Sequence, residues 1–195
     1  MYELKDKEWI FVYTGPDGSG RKTMADMVGS TFGMKKVISY STRKPRPGER
    51  DGQDYHFITH EEFLKAEERG EFLESIRLDG NLYGIKHEDV ERLFKTSGCI
   101  YVIMNPEGAD ILKRLYGDKV VRLFIYADRA TVEARQREMG LPEEVIARHM
   151  AHYDEAMAYM KQCEHAFENY DIAHTAFAIT EVLEGYLQRK LTETD

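Results

Sequence analysis

One stretch near the N-terminus constrains the fold more than any other: "WIFVYTGPDGSGRKTMADMVGSTFG", residues 9–33. It opens on a continuous apolar run, as a strand buried on both faces does. Gly15, Gly18 and Gly20 follow, and then Met24, Met27 and Val28 recur at helical spacing. Strand, glycine-rich turn and helix together form the setting in which a loop wraps phosphate with its own amides. The loop almost spells G-x-x-x-x-G-K-[ST], the phosphate-binding pattern. Gly15 and Gly20 hold the two glycine places, Arg21 stands in the lysine place, and Lys22 stands in the hydroxyl place with Thr23 beside it. A lone near-match would be read as an ordinary strand-to-helix turn; the flanking strand and helix favour the phosphate loop. Asp17 has no benign account here: it is either an exposed loop residue or one that weakens anion binding.

Two further apolar runs, "CIYVIM" (99–104) and "VVRLFIYA" (120–127), bracket a helical "ADILKRLY", an alternation that predicts a parallel α/β core. Residues 37–96 break it. There "KVISYST", "QDYHFIT" and "ESIRLDGNLYGI" are short strand-like pieces around a short helix, "HEEFLKAEERG", which predicts a small mixed insertion. Residues 129–161 are charged and helix-forming with a break at "GLPEE", where Pro142 suits the first turn of a second helix. "TEVLEGYLQRKL" predicts a final amphipathic helix. The 195 residues suit a single domain with core segments 1–36, 97–128 and 162–195.

Composition narrows the partners. With 42% hydrophobic and 32% charged residues the chain reads as soluble and globular. A net charge of -8 argues against duplex nucleic acid. The N-terminal apolar run is too short for a signal peptide or a membrane span, so no membrane partner and a cytoplasmic location are expected. Cys99 and Cys163 are far apart and read as two reduced thiols. His149 and His152 have helical i, i+3 spacing but no third ligand, so they read as a solvated helix face and no metal site is expected.

Against this acidic background "STRKPRPGERDGQDYHF" gathers Arg43, Lys44, Arg46 and Arg50, with Tyr55 close behind. Arginine forks bind phosphate oxygens in pairs, and tyrosine hydroxyls complete such a shell. "GEFLES" and "NLYG" add Glu74 and Tyr83. A carboxylate can accept from the N1 and N2 hydrogens of guanine, whereas adenine presents an acceptor at N1.

On these motifs, in this order, the chain resembles the guanylate kinase family over nearly its whole length. The resemblance implies an α/β P-loop kinase core with a parallel sheet, a small mixed α+β GMP-binding insertion at 37–96 and a helical lid at 129–161. It implies that Ser39, Arg43, Arg46, Tyr55 and Tyr83 hold the phosphate of GMP and that Glu74 reads guanine. It places ATP on the loop, with Gly15, Gly18, Gly20 and Thr23 around its phosphates, and implies ATP-dependent phosphorylation of GMP with magnesium.

The departures fall mostly on the ATP side. Asp17, Arg21 and Lys22 alter the loop, and Ile103 and Asn105 replace the acids of a D-x-D strand end. Arg135, Arg137 and Arg148 stand out of strict lid register, and an asparagine near the adenine site is expected to be lost in "IAHTAF". On the guanine side, Ile85 replaces a hydroxyl residue. In an active enzyme Arg21, Lys22, Arg135, Arg137 and Arg148 are the candidate catalytic residues, acting on the transferring charge. The expectation is GMP binding with weak turnover. A catalytically inactive module for a phosphorylated protein or an unusual nucleotide stays open beside it.

Overall fold

The computed structural model describes residues 1–188. The chain begins with β1 (Ile10–Thr14), α1 (Arg21–Phe32) and β2 (Lys35–Lys36). Next come β3 (Tyr40–Ser41), β4 (His56–Phe57), α2 (His60–Glu68), β5 (Phe72–Leu78), β6 (Asn81–Lys86) and α3 (His87–Ser97). It continues through β7 (Ile100–Ile103), α4 (Pro106–Tyr116) and β8 (Val120–Tyr126). Then α5 (Arg129–Glu138), α6 (Glu143–Ala151), α7 (Tyr153–Ala158), β9 (His165–Glu168) and α8 (Ile172–Leu187) follow.

A five-stranded parallel sheet, ordered β2-β7-β1-β8-β9, forms the centre. Alternate residues of β1 enter opposite cores. Ile10 and Val12 pack with Val90, Phe94, Ala109 and Leu112 of α3 and α4, while Phe11 and Tyr13 pack with Met24 and Val28 of α1 and Ile179 and Leu183 of α8. Helices cover both faces, which is why the strand is buried throughout and apolar up to Thr14. Because β1 is central and its neighbours run parallel, the glycine loop emerges at the carboxyl edge of the sheet, where open α/β sheets take their ligands.

Residues between β2 and β7 build a second, four-stranded mixed sheet, ordered β4-β3-β6-β5. Its hairpin turns on Asp79 and Gly80, both at positive φ (50° and 78°), as a tight Asp-Gly turn requires. Several local expectations change. "KVISYST" does not form one strand: β2 joins the central sheet and β3 the second. Helix α3 and the edge strand β9 had no counterpart among the expected elements, and Pro142 is the N-cap of α6, one place before its first turn. Residues 189–191 of the expected tail helix, and 189–195 of the expected core segment, lie outside the described residues. No helix among the described residues is long and apolar enough to cross a membrane.

Candidate active site

The glycine loop is held from three sides. Gly15 has φ 132°, and a Cβ there would lie 2.0 Å from the Ile125 carbonyl oxygen of β8. Gly20 has φ 92°, and a Cβ would lie 2.3 Å from Asn169 Nδ2, which itself donates to the Ser19 carbonyl at 2.8 Å. Arg135 of α5 reaches the same carbonyl at 3.4 Å and also donates to the Asn169 carbonyl. Gly18 likewise has positive φ. Helix α1 starts at Arg21 with no side chain capping its N-terminus, so the first-turn amides are available to an anion. Ser19 Oγ is buried without a hydrogen-bond partner.

The loop's side chains are committed elsewhere. Arg21 donates to Asp17 at 2.9 Å and to the Met104 carbonyl at 3.4 Å. Lys22 leaves the loop and pairs with Asp54 at 2.7 Å, next to Tyr55 in the second sheet's region. Thr23 is exposed. At the end of β7, Asn105 caps α4 by accepting from the Gly108 amide at 3.0 Å, and Ile103 offers no ligand. Hydroxyl and carboxylate are thus missing where magnesium would need them. No group of three or more His, Cys, Asp or Glu among the described residues could hold a metal ion. The residues present do not fit a protein-held magnesium.

Across the cleft, the arginine and tyrosine cluster is assembled. Both terminal nitrogens of Arg43 donate to Glu49 at 2.7 Å, and the guanidinium lies 4.9 Å from the centre of the Tyr55 ring. Burial alone would lower the Arg43 pKa; the Glu49 pairing outweighs it and raises it. Burial works against ionised Glu49, but Arg43 and the Arg46 amide, at 2.9 Å, hold its carboxyl below the usual range. Tyr83 meets Tyr55 edge-on with ring centres 6.1 Å apart. Ser39 precedes β3, and its carbonyl accepts from the His56 amide at 2.8 Å. Glu74 is 5% exposed, with Oε2 unpartnered. Burial pushes its pKa up to about 8, against the pull of the Ile85 amide, and Glu107 adds to the rise. Ile85, its cross-strand partner, is 1% exposed and part of the core.

Helices α5 to α7 close over both halves, and here the histidines depart from expectation. Arg46 Nη2 donates to His149 Nε2 at 3.1 Å. Arginine has no acceptor, so His149 carries its proton on Nδ1 and passes the hydrogen bond to the buried Gln136 Oε1. Burial lowers the His149 pKa, and Arg46 and Arg21 lower it further while Asp17 opposes them. His152 Nε2 lies 2.9 Å from Asp79 Oδ1 at the β5–β6 turn. Neither residue is a merely solvated one, because each bridges two parts of the molecule. A cavity of about 100 Å³ remains between them, lined by Gly15, Asp17, Arg21, Asn105, Glu107 and Leu78 among others.

Of Arg135, Arg137 and Arg148, only Arg135 meets the loop. Arg137 is held on the outer face by Glu133 and Glu143, and Arg148 is exposed. Sequence reading missed Glu49, Gln136 and Asn169. Glu49 had a signal, three residues after Arg46 in "RPGE". Asn169 directly follows a four-residue strand too short to stand out, and it supplies an asparagine at the loop although "IAHTAF" has none.

A family model described as guanylate kinase matches residues 7–186. The guanylate kinase of Paraburkholderia xenovorans is 31% identical over 168 residues, 84% of this chain and 75% of that protein. That of Desulfotalea psychrophila is 30% identical over 181 residues, covering 91% and 89%. A crystal structure of guanylate kinase from Anaplasma phagocytophilum superposes with a TM-score of 0.75 at 24% identity, covering 96% of this chain and 90% of that one, a likeness of fold.

Proposed function

The chain belongs to the guanylate kinase family, and from that premise we propose that it binds GMP and transfers a phosphoryl group to it from ATP only slowly. Residues 37–96 serve as the GMP-binding insertion and 129–161 as the lid. Arg43, Arg46, Tyr55 and Tyr83, with Ser39 beside them, bind the GMP phosphate, and ionised Glu74 accepts from guanine N1–H and N2–H. The amides of residues 15–23 cradle the ATP phosphates at the start of α1, and Arg135 steadies that cradle through Ser19 and Asn169.

One observation carries this division. The GMP-side cluster is assembled, whereas both loop cations are engaged by protein carboxylates, Arg21 by Asp17 and Lys22 by Asp54. Phosphoryl transfer depends on positioning and on charge placed at the transferring group. A loop without a lysine in place, and without a side chain for magnesium, loses that charge. Ordinary ATP–magnesium supplies metal chemistry as part of the substrate; no step here assigns the metal a protein ligand.

Calorimetry with GMP, AMP and ATP–magnesium separately, followed by a coupled turnover assay, tests the proposal. GMP is expected to bind more tightly than AMP, ATP–magnesium weakly, and turnover to fall below about 1 per second. Equal affinity for the two monophosphates overturns the guanine assignment. Wild-type turnover within roughly 1 to 100 per second overturns the slow-transfer assignment.

A further inference from the structure

The cations that a kinase gathers around a transferring phosphate are here gathered around a carboxylate of the loop itself. Asp17 stands between Gly15 and Gly20, accepts from Arg21 at 2.9 Å, and lines the cavity that Arg21, His149 and His152 also line. Burial disfavours its charge, yet the Arg21 guanidinium, bonded to it, and that of Arg46 hold its carboxyl below the usual range. These two cations come from the start of α1 and from the second sheet's region. The contacts of Arg46 with His149 and of His152 with Asp79 close the same space from above. The electrostatic requirement of a closed cleft, an anion facing converging cations, is therefore met from within the chain.

We propose that Asp17 is a specificity-determining residue of the donor site: its carboxylate occupies the anion position of the phosphate loop and selects against a triphosphate. A triphosphate entering the loop must displace Asp17 from Arg21 or lie against a like charge, and like charges at close range weaken binding strongly. A monophosphate bound by Arg43 and Tyr55 meets no such competitor. The inference rests on residues 15–23 being the donor-phosphate loop.

The probe is inorganic tripolyphosphate, measured by calorimetry without metal against wild type, Asp17→Asn, Asp17→Ser and Asp17→Glu, with thermal melts to establish folding. Asp17→Asn and Asp17→Ser are expected to bind it about tenfold more tightly than wild type, and Asp17→Glu no more tightly. The gain should shrink as salt rises from about 0.05 to about 0.5 M, because screening removes a charge effect and spares a packing effect. Unchanged or weaker binding in the neutral variants, an equal gain in Asp17→Glu, a salt-independent gain, or no binding by any form overturns the proposal. Should the neutral variants fail to fold, a carbon-13 titration of the wild-type carboxyl decides it. Tripolyphosphate should raise the Asp17 pKa, and no movement counts against the proposal. GMP calorimetry runs alongside: if GMP fails to bind, the proposed function falls, while the tripolyphosphate comparison still decides the role of Asp17.

Discussion

The two halves of the cleft keep different things. The half proposed to take GMP keeps its side chains and braces them: Arg43 is gripped by Glu49, lies over Tyr55, and Tyr55 meets Tyr83. The half proposed to take ATP keeps its backbone and redirects its side chains. Its glycines still make the turn and α1 still offers an uncapped N-terminus. Arg21 and Lys22, however, are turned toward carboxylates of the chain. A phosphate loop is thus two separable devices, a backbone cradle set by sterics and a charge arrangement set by a few side chains. The first is tied into the packing of β8 and β9; the second can change without disturbing the fold.

The largest effect should come from attacking the cradle. Gly15→Ala places a Cβ 2.0 Å from a backbone oxygen of β8, at a φ that alanine avoids. Neither strand can yield without disturbing the central sheet. A stability loss above about 4 kcal/mol is expected, in the range reserved for severe backbone conflicts. Chemical denaturation measures it. A loss below about 1 kcal/mol would mean that the loop is no longer structural and that the contrast between the halves is wrong.

Arg43→Ala comes next. It removes a charged fork, and hydrogen bonds to charged groups contribute about 1.5–3 kcal/mol each. GMP affinity should fall about 100-fold while tripolyphosphate affinity at the loop holds. Glu49 loses its main partner in the same variant, so part of the loss is repulsion of the incoming phosphate. Glu49→Gln, which frees Arg43 without deleting it, should instead leave GMP affinity equal or higher. Calorimetry separates the two.

The third effect is of pH. The proposed reading of guanine uses Glu74 as an acceptor, and burial pushes its pKa up to about 8, so the free protein is expected to hold the proton near neutrality. GMP affinity should rise about tenfold from about pH 7 to about pH 8.5, following the ionised fraction. Glu74→Gln should flatten that profile. Folding stability runs the opposite way. The folded pKa is raised above the ordinary 4.5, so the contribution is fully present below 4.5 and is lost as pH rises through about 8. Melting temperatures of wild type and Glu74→Gln across that window check the sign.

What was legible in the sequence follows the same division. Continuous apolar runs exposed β1, β7 and β8, because strands covered on both faces are apolar at nearly every position, Thr14 and the ion-paired Arg122 being the exceptions in β1 and β8. The short strand-like pieces of residues 37–96 pointed to a mixed sheet, although "ESIRLDGNLYGI", read as one piece, folds as the β5–β6 hairpin. Short elements were not legible. Strand β2 has two residues and β9 four, and their pairing is set by neighbours far away in the chain. Nor could spacing show that His149 would reach Arg46 across 103 residues, or that Asp17 would face both Arg21 and the distant Arg46. Such contacts depend on how α6 lies over the cleft, which no local pattern encodes.

The smallest expected effect sharpens the comparison on the GMP side, where one side chain did change. Ile85 stands opposite Glu74 on the neighbouring strand, at the position from which a hydroxyl could reach the base, yet it is 1% exposed and packs with Leu73, Val90 and Phe94. Ile85→Thr keeps the branched shape and exchanges a methyl-bearing carbon for a hydroxyl. One restored hydrogen bond contributes about 0.5–1.5 kcal/mol, so the ratio of GMP to AMP affinity should rise about two- to tenfold. The same change puts a polar group among apolar neighbours, at a cost of about 1–3 kcal/mol in ligand-free stability. The two measurements therefore move in opposite directions if the residue borders both base and core. A stability loss with an unchanged affinity ratio would show that position 85 belongs to the core alone. The GMP half would then owe its base preference to Glu74 without help from the facing strand.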